Sequence, residues 1–279
     1  MNKEYNFTPE LTYANIETHM KMWADQTNAQ NFVVGISGGK DSTVVAMLLC
    51  AIFGKERVYG VMMPQWQQSD IKDSMDVCDI LGIHRTIVNI GESVDTLTSQ
   101  IWQNRKDSGI YPTKDMEINL PARIRMATLH AVGQCMNGRV INTSNLSEDM
   151  VGYATQFGDN AGAYAPLQGL TVTEVKELGK YLINILGIQH KYITCPNITD
   201  AGRFASLIDK TPVDGLQAQT DEDRLGFTYA ELDRLIRFNE GSDEFKALIK
   251  KKYEQNKFKL EIVQMPQPDF SYLPNFVKD

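Results

Sequence analysis

Six consecutive residues, Ser37-Gly38-Gly39-Lys40-Asp41-Ser42, carry the most legible chemistry in the chain. They follow the apolar run NFVVGIS and lead into STVVAMLLCAIF, so a buried strand is expected to turn sharply into a buried helix. Two adjacent glycines let the main chain turn tightly enough for several N–H groups, and the positive end of the helix, to face one anion. Phosphate is the expected anion. A Walker A loop would need glycine where Val34 stands, and serine or threonine where Asp41 follows Lys40, so this is not the loop of a kinase or GTPase. A carboxylate beside bound phosphates repels them unless it holds a divalent cation, which makes Asp41 an expected Mg2+ ligand. A plain glycine turn with Asp41 and Ser42 capping the helix is the competing structural account. The succession of strand, motif and apolar helix favours the nucleotide.

The elements that must position this loop repeat one rhythm. RVYGVMMP (57 to 64) reads as a second strand, DIKDSMDVCDILGI as a helix closing on Gly82, and HRTIVNI as a third strand. Helices are expected from about Glu92 to Asn104 and from Asn119 to Met136, and GRVINTS (138 to 144) supplies a fourth strand. Alternation of this kind predicts an α/β fold: a doubly wound parallel sheet with right-handed crossovers and helices on both faces. Ligands of such sheets sit beyond the carboxyl ends of the strands, so the loops starting at Ser37, Met63 and Thr143 should gather at one edge. Further on, 151 to 168 lacks either period and reads as a long ordered loop, and 171 to 186 is spaced as a helix. Residues 195 to 219 turn polar and are interrupted by Pro196, Gly202, Pro212 and Gly215, which suggests a mobile flap. Helices are expected again at 222 to 238 and 242 to 254, before a proline-bearing tail. A single domain spanning 1–279 is expected, with an N-terminal helix at 9–29, the flap at 195–219 and the tail at 255–279.

Composition narrows the partners. With 279 residues, 42% hydrophobic and 23% charged, the chain can bury one large core. A net charge of -7 argues against a surface built for a nucleic-acid backbone, and no run approaches the length of a membrane span. The start, MNKEYNFTPE, lacks the profile of a secretion signal, so a cytoplasmic location is expected. Cys50, Cys78, Cys135 and Cys195 are scattered, without a CxxC pair or a histidine at metal-ligand spacing, and reduced structural thiols are expected.

SGGKDS, entered through Gly35 and Ile36, resembles the SGGxDS loop of the N-type ATP pyrophosphatases, which cleave ATP to AMP and pyrophosphate while activating an oxygen of their substrate. Three longer segments, INLPARIRMATLH (118 to 130), 142 to 179 and DKTPVDGLQAQTDEDRLGFTYAELD (209 to 233), resemble ammonia-dependent NAD synthetase in the same order. That resemblance implies the adenine nucleotide alpha hydrolase-like form of the doubly wound sheet. It implies ATP contacts from Gly35 to Ser42 and at Met63, Arg125 and Thr143, with Met63 and Pro64 bordering the adenine. It also implies deamido-NAD contacts at Arg123, Gln156 and Asp159, Mg2+ on Asp41 and Glu148, and charge stabilisation by Lys40 and Lys210. Asn145 and Glu148 have capping-box spacing too, which would account for Glu148 structurally. Four positions depart from the common family pattern: Gln156 replaces a usual lysine, Ala163 a frequent aspartate, Val172 a lysine and Val213 a hydroxyl residue. CPNITDAGRFASLI is extra chain between Ile193 and Asp209.

The implied reaction is adenylation of the nicotinate carboxylate of deamido-NAD by ATP, followed by displacement of AMP by ammonia. Positioning and electrostatics would drive it, with no protein nucleophile. About thirty residues precede the first strand, too few for a glutaminase domain there, so free ammonia is the expected nitrogen source and a separate glutaminase subunit is left open. A homodimer is implied by the family. The alternatives are another pyrophosphatase of this loop class, such as a tRNA-modifying enzyme, and a non-catalytic adenine-nucleotide sensor.

Overall fold

The computed structural model describes residues 6–188, 201–210 and 220–260. Four parallel strands form its sheet: β1 (Asn31–Gly35), β2 (Val58–Met62), β3 (His84–Ile87) and β4 (Gly138–Val140), in the order β3-β2-β1-β4. Phe32 lies opposite Val58, Gly60 opposite Arg85 and Val33 opposite Val140. The first two crossovers run through α2 (Lys40–Phe53) and α3 (Ile71–Leu81). The third returns through α4 (Gly91–Ser108) and α5 (Lys114–Cys135), passing β2 and β1 to set β4 on the far side.

Side chains alternate across β1 because a strand has a period of two. Phe32 and Val34 enter a core with Met47 and Leu48 of α2 and Val77 of α3; Met20 of α1 (Pro9–Gln26) and Leu178 and Leu182 of α7 (Val172–Ile188) complete it. Val33 points the other way, with Val61, Ile90 and Val94, against Ile124, Leu129 and Val132 of α5. Helices therefore cover both faces, as expected. A third apolar cluster joins Val151 of α6 (Leu146–Val151) and Val172 to Tyr229 and Leu232 of α10 (Tyr229–Phe238) and Ile249 of α11 (Asp243–Asn256).

Three differences from the sequence reading have physical causes. Strand β4 stops at Val140 rather than running to 144, because Ile141 makes only an isolated bridge to Tyr164 and Asn142 turns its amide onto the 159–161 loop. The helix expected at 222–238 is broken into α9 (Asp221–Leu225) and α10 by Gly226, whose φ of 81° ends one helix before Thr228 caps the next. Within the expected flap, Ala201–Asp209 is a helix, α8, whose Phe204, Leu207 and Ile208 enter the main core. Their spacing is helical, a signal overridden by reading the segment for its polar residues. Apart from Lys210, the remainder of the flap, and all but the start of the tail, lie outside the described residues.

Candidate active site

The order in which strands are added to the sheet reverses at β1 and β4, since the chain moves from β1 to β2 and β3 on one side and then returns to place β4 on the other. Such a switch point opens a crevice at the carboxyl ends of the strands. Residues 36–42 leave β1 at this edge, the chain from Met63 leaves the neighbouring parallel β2 there and 141–148 leave β4 there, so the fold brings together all three loops expected at one edge.

Gly38 makes the first turn possible. Its φ is 79°, and a Cβ there would come within 2.7 Å of the Asp73 Cβ and 2.9 Å of the Ser74 nitrogen. Residue 38 is thus pressed against the first turns of α3. Hydroxyls hold the rest of the loop: the Ser37 N–H donates to Ser42 Oγ at 3.3 Å, the Gly39 N–H to Ser37 Oγ at 3.2 Å, and Thr43 Oγ1 donates to the Gly39 carbonyl at 2.8 Å. The first-turn amides of α2, which have no partner inside their own helix, face the crevice from the loop's end.

Asp41 and Glu148, distant in sequence, meet around one buried ammonium. Lys40 is 3% exposed; its Nζ lies 2.8 Å from Asp41 Oδ2 and 3.7 Å from Glu148 Oε1, above the ring of Tyr229. Asn145 Nδ2 donates to the other Asp41 oxygen at 3.1 Å. Burial works against the charge of Lys40, but Asp41 and Glu148 outweigh it and hold the ammonium above its usual range. Glu148 is pushed upward, first by desolvation and then by the charge of Asp41, against the opposing pull of Lys40. Two carboxylates therefore share one cation and remain short of positive charge. The capping box is present as well: Asn145 Oδ1 accepts from the Glu148 N–H at 3.1 Å, and Glu148 Oε2 accepts from the Asn145 N–H at 3.4 Å. One oxygen of Glu148 starts the helix while the other faces Lys40. The structural and chemical accounts of this residue hold together.

The remaining expected residues surround this centre. Lys210 Nζ donates to Asp73 at 2.7 Å and Asp70 at 3.2 Å, at the same α3 turn that abuts Gly38, and Arg203 binds Asp73 and Asp76 beside it. Arg123 and Arg125 diverge: the first donates to the Gln156 carbonyl at 3.2 Å and the second to the Met63 carbonyl at 3.1 Å. Thr143 follows β4 after Ile141 and the buried Asn142, ahead of the cap at Asn145. Asp159 accepts from the Thr155 N–H at 2.6 Å, which folds its own loop. Gln156 reaches the Phe258 carbonyl, and Ala163 is exposed. Val172 sits at the start of α7 inside the third apolar cluster, so its side chain serves the core.

Sequence reading missed the supports. Asp233 is buried and accepts from Ser147 Oγ at 2.5 Å, the Thr173 N–H at 2.7 Å and Thr173 Oγ1 at 2.6 Å, pinning the starts of α6 and α7 to α10. Tyr153 donates to the buried Asp221 at 2.8 Å beside the Lys40 cluster. In the sequence Asp233 is one acidic residue in an ordinary amphipathic helix, and nothing distinguishes it from a solvated one. Asn145 was visible through its spacing from Glu148.

A family model described as NAD synthase matches residues 12–269. The chain is 38% identical over 213 residues to an NH(3)-dependent NAD(+) synthetase of Thermococcus kodakarensis, covering 76% of this chain and 74% of that protein. Among solved structures it resembles an NMN synthetase from Francisella tularensis with a TM-score of 0.78 and 28% identity, covering 94% of this chain and all of the other. An NH3-dependent NAD synthetase from Campylobacter jejuni matches with a TM-score of 0.67 and 24% identity over 94% of this chain, a likeness of fold.

Proposed function

Since the chain belongs to the NAD synthase family, we propose that it amidates the nicotinate carboxylate of deamido-NAD with ammonia, driven by cleavage of ATP to AMP and pyrophosphate. One observation carries the reading: Asp41 and Glu148 converge beside a glycine loop and a helix start, with Lys40 as their only close cation among the described residues. The residues fit Mg2+. No set of three possible ligand side chains for a metal occurs among the described residues, and Mg2+ in nucleotide sites is commonly held by one or two carboxylates, with phosphate and water oxygens completing its shell. Asp41 and Glu148 would hold it, and when bound it would neutralise charge on the triphosphate.

In this reading the loop amides and the start of α2 grip the triphosphate so that its α-phosphorus lies open to the carboxylate. The carboxylate oxygen bonds to that phosphorus and pyrophosphate leaves. Lys210 stands at the loop's far wall, where it can exchange Asp73 for a phosphate oxygen as negative charge builds. Ammonia then attacks the mixed anhydride, AMP leaves, and a proton is released as the amide forms. Arg125 is suited to the ATP side by its bond at Met63, and Arg123 to the substrate side by its bond at Gln156. We further propose a homodimer, supported by the exposed apolar side chains Leu97, Trp102, Ile110, Tyr111 and Ile118 on and between α4 and α5. A cytoplasmic location is in keeping with the absence, among the described residues, of a helix long and apolar enough to cross a membrane.

A second reading is favoured by a specific likeness. The Francisella tularensis NMN synthetase is similar enough to suggest the same amidation on the mononucleotide acid, and Gln156 and Ala163 depart from the dinucleotide pattern in the loop beside Arg123. Purified protein with ATP, Mg2+ and ammonia, offered deamido-NAD or nicotinate mononucleotide, separates the two by kcat/KM. ATP binding without pyrophosphate release on either substrate would refute both and leave a nucleotide sensor. Replacing ammonia by glutamine tests the nitrogen source.

A further inference from the structure

Among the described residues, three buried side-chain atoms have no hydrogen-bond partner: Gln65 Oε1, Ser74 Oγ and the Tyr229 hydroxyl. Their distribution is not random. Gln65 follows Met63 and Pro64 at the end of β2, Ser74 lies against Gly38, and Tyr229 lies under Lys40. A buried donor or acceptor with no partner weakens a fold, so a cluster of them beside a phosphate loop points to a ligand that completes them.

Tyr229 is the best defined of the three. It is the first residue of α10, fixed by the Thr228 capping box and by its own N–H donating to Glu222 Oε1 at 2.9 Å. Its side chain is 2% exposed, and the ring centroid is 5.6 Å from Lys40 Nζ. Desolvation first, then the charges of Glu148, Asp221 and Asp41 and the nearby Tyr153, keep the phenol firmly protonated. The hydroxyl is therefore a donor surrounded by carboxylates it does not reach. Asp221 already accepts from Tyr153, and Asp41 from Lys40 and Asn145.

Resting on the nucleotide reading above, we propose that the Tyr229 hydroxyl donates a hydrogen bond to an oxygen of the metal–triphosphate held at Asp41 and Glu148. That oxygen belongs either to the cation's hydration shell or to a phosphate. Tyr229 is then a binding residue of this site, and its ring, under Lys40, holds the ammonium in place from below.

Tyr229→Phe tests the proposal because it keeps the ring and removes only the hydroxyl. Thermal unfolding without ligand should show a melting temperature equal to or above that of the unaltered chain, since an unpaired buried group is removed. Calorimetric titration with Mg2+ and α,β-methylene-ATP should show affinity lowered by roughly tenfold or more, as for a lost bond to a charged acceptor. Titration with Mn2+ alone, and with the nucleotide analogue in EDTA, identifies the oxygen: a loss in the first assigns it to metal-bound water, a loss in the second to phosphate. Unchanged affinity in all three titrations overturns the proposal, as does a lowered melting temperature, which would mean that the hydroxyl serves the fold. Glu148→Gln run alongside separates this from the parent reading. If that variant binds the Mg2+ analogue as well as the unaltered chain does, the metal assignment fails and the Tyr229 proposal falls with it; if Glu148→Gln weakens binding and Tyr229→Phe does not, only the latter falls.

Discussion

Removing the carboxylate of Asp233 should unfasten the helix that carries Glu148. Both oxygens are engaged, one by Ser147 Oγ and the other by the N–H and hydroxyl of Thr173. Hydrogen bonds to a charged acceptor contribute roughly 1.5–3 kcal/mol each. Ser147 keeps one bond after the loss, because its oxygen also accepts from the Val172 N–H at 3.1 Å, whereas the Thr173 N–H loses its side-chain acceptor at a helix start. Counting about two of the three bonds as lost gives about 3–6 kcal/mol for Asp233→Ala. For a chain of this size the melting temperature falls by about 2–4 °C per kcal/mol, so a drop of roughly 6 to 24 °C is expected. Asp233→Asn retains the shape and one good acceptor and should lose about half as much. Ser147 adjoins Glu148, so both variants should also need more Mg2+ for half-maximal turnover at a temperature well below melting. Differential scanning calorimetry and a Mg2+ titration of turnover are the assays. An Asp233→Ala melting temperature within about 2 °C of the unaltered chain would refute the reasoning.

Asp41→Asn should abolish turnover while lowering stability only modestly, because the buried Lys40 retains Glu148 as a counter-charge; full activity in that variant would remove Asp41 from the mechanism. Glu148→Gln should raise the Mg2+ requirement of any residual turnover. A pH effect follows from the raised carboxyl of Glu148: its contribution to folding is fully present below the ordinary carboxylate range and is lost as pH rises through the elevated value. Melting temperatures of the metal-free chain should therefore decline more with rising pH than those of Glu148→Gln, and Mg2+ should offset the decline; superimposable profiles would contradict this. Gly38→Ala combines a φ of 79° with a contact of 2.7 Å to Asp73, so ATP binding by calorimetry should be lost even where the protein still folds, and near-normal affinity would show that the loop adapts.

The parallel sheet, its two covered faces and the loop at the end of β1 were legible because each rests on local periodicity and glycine chemistry. Glu148 was legible as a partner of Asp41 only through resemblance, since no local rule relates a carboxylate after β4 to one after β1. Asp233, Tyr229 and Asp221 were not legible at all. Their roles depend on α10 folding back across α6 and α7, and a buried Asp has the same letters around it as an exposed one. Val172 shows the opposite failure. In the sequence it stands out as a departure from the family's lysine, whereas its neighbours Val151, Phe227 and Leu232 explain why an apolar residue stands there.

Asn145 has a consequence for how this site tolerates change. Its oxygen starts α6 and its NH2 group donates to Asp41, two tasks with opposite polarity on one short side chain. Serine, threonine and aspartate begin helices about as well, but a hydroxyl must accept and donate from one atom where the amide uses two set apart, and an ionised aspartate has no donor and would add a third negative charge. A screen that selects for heat resistance alone would accept several letters at position 145, whereas one that selects for turnover should return asparagine. The gap between those two outcomes would give a direct reading of how much of this helix start exists for the reaction rather than for the fold.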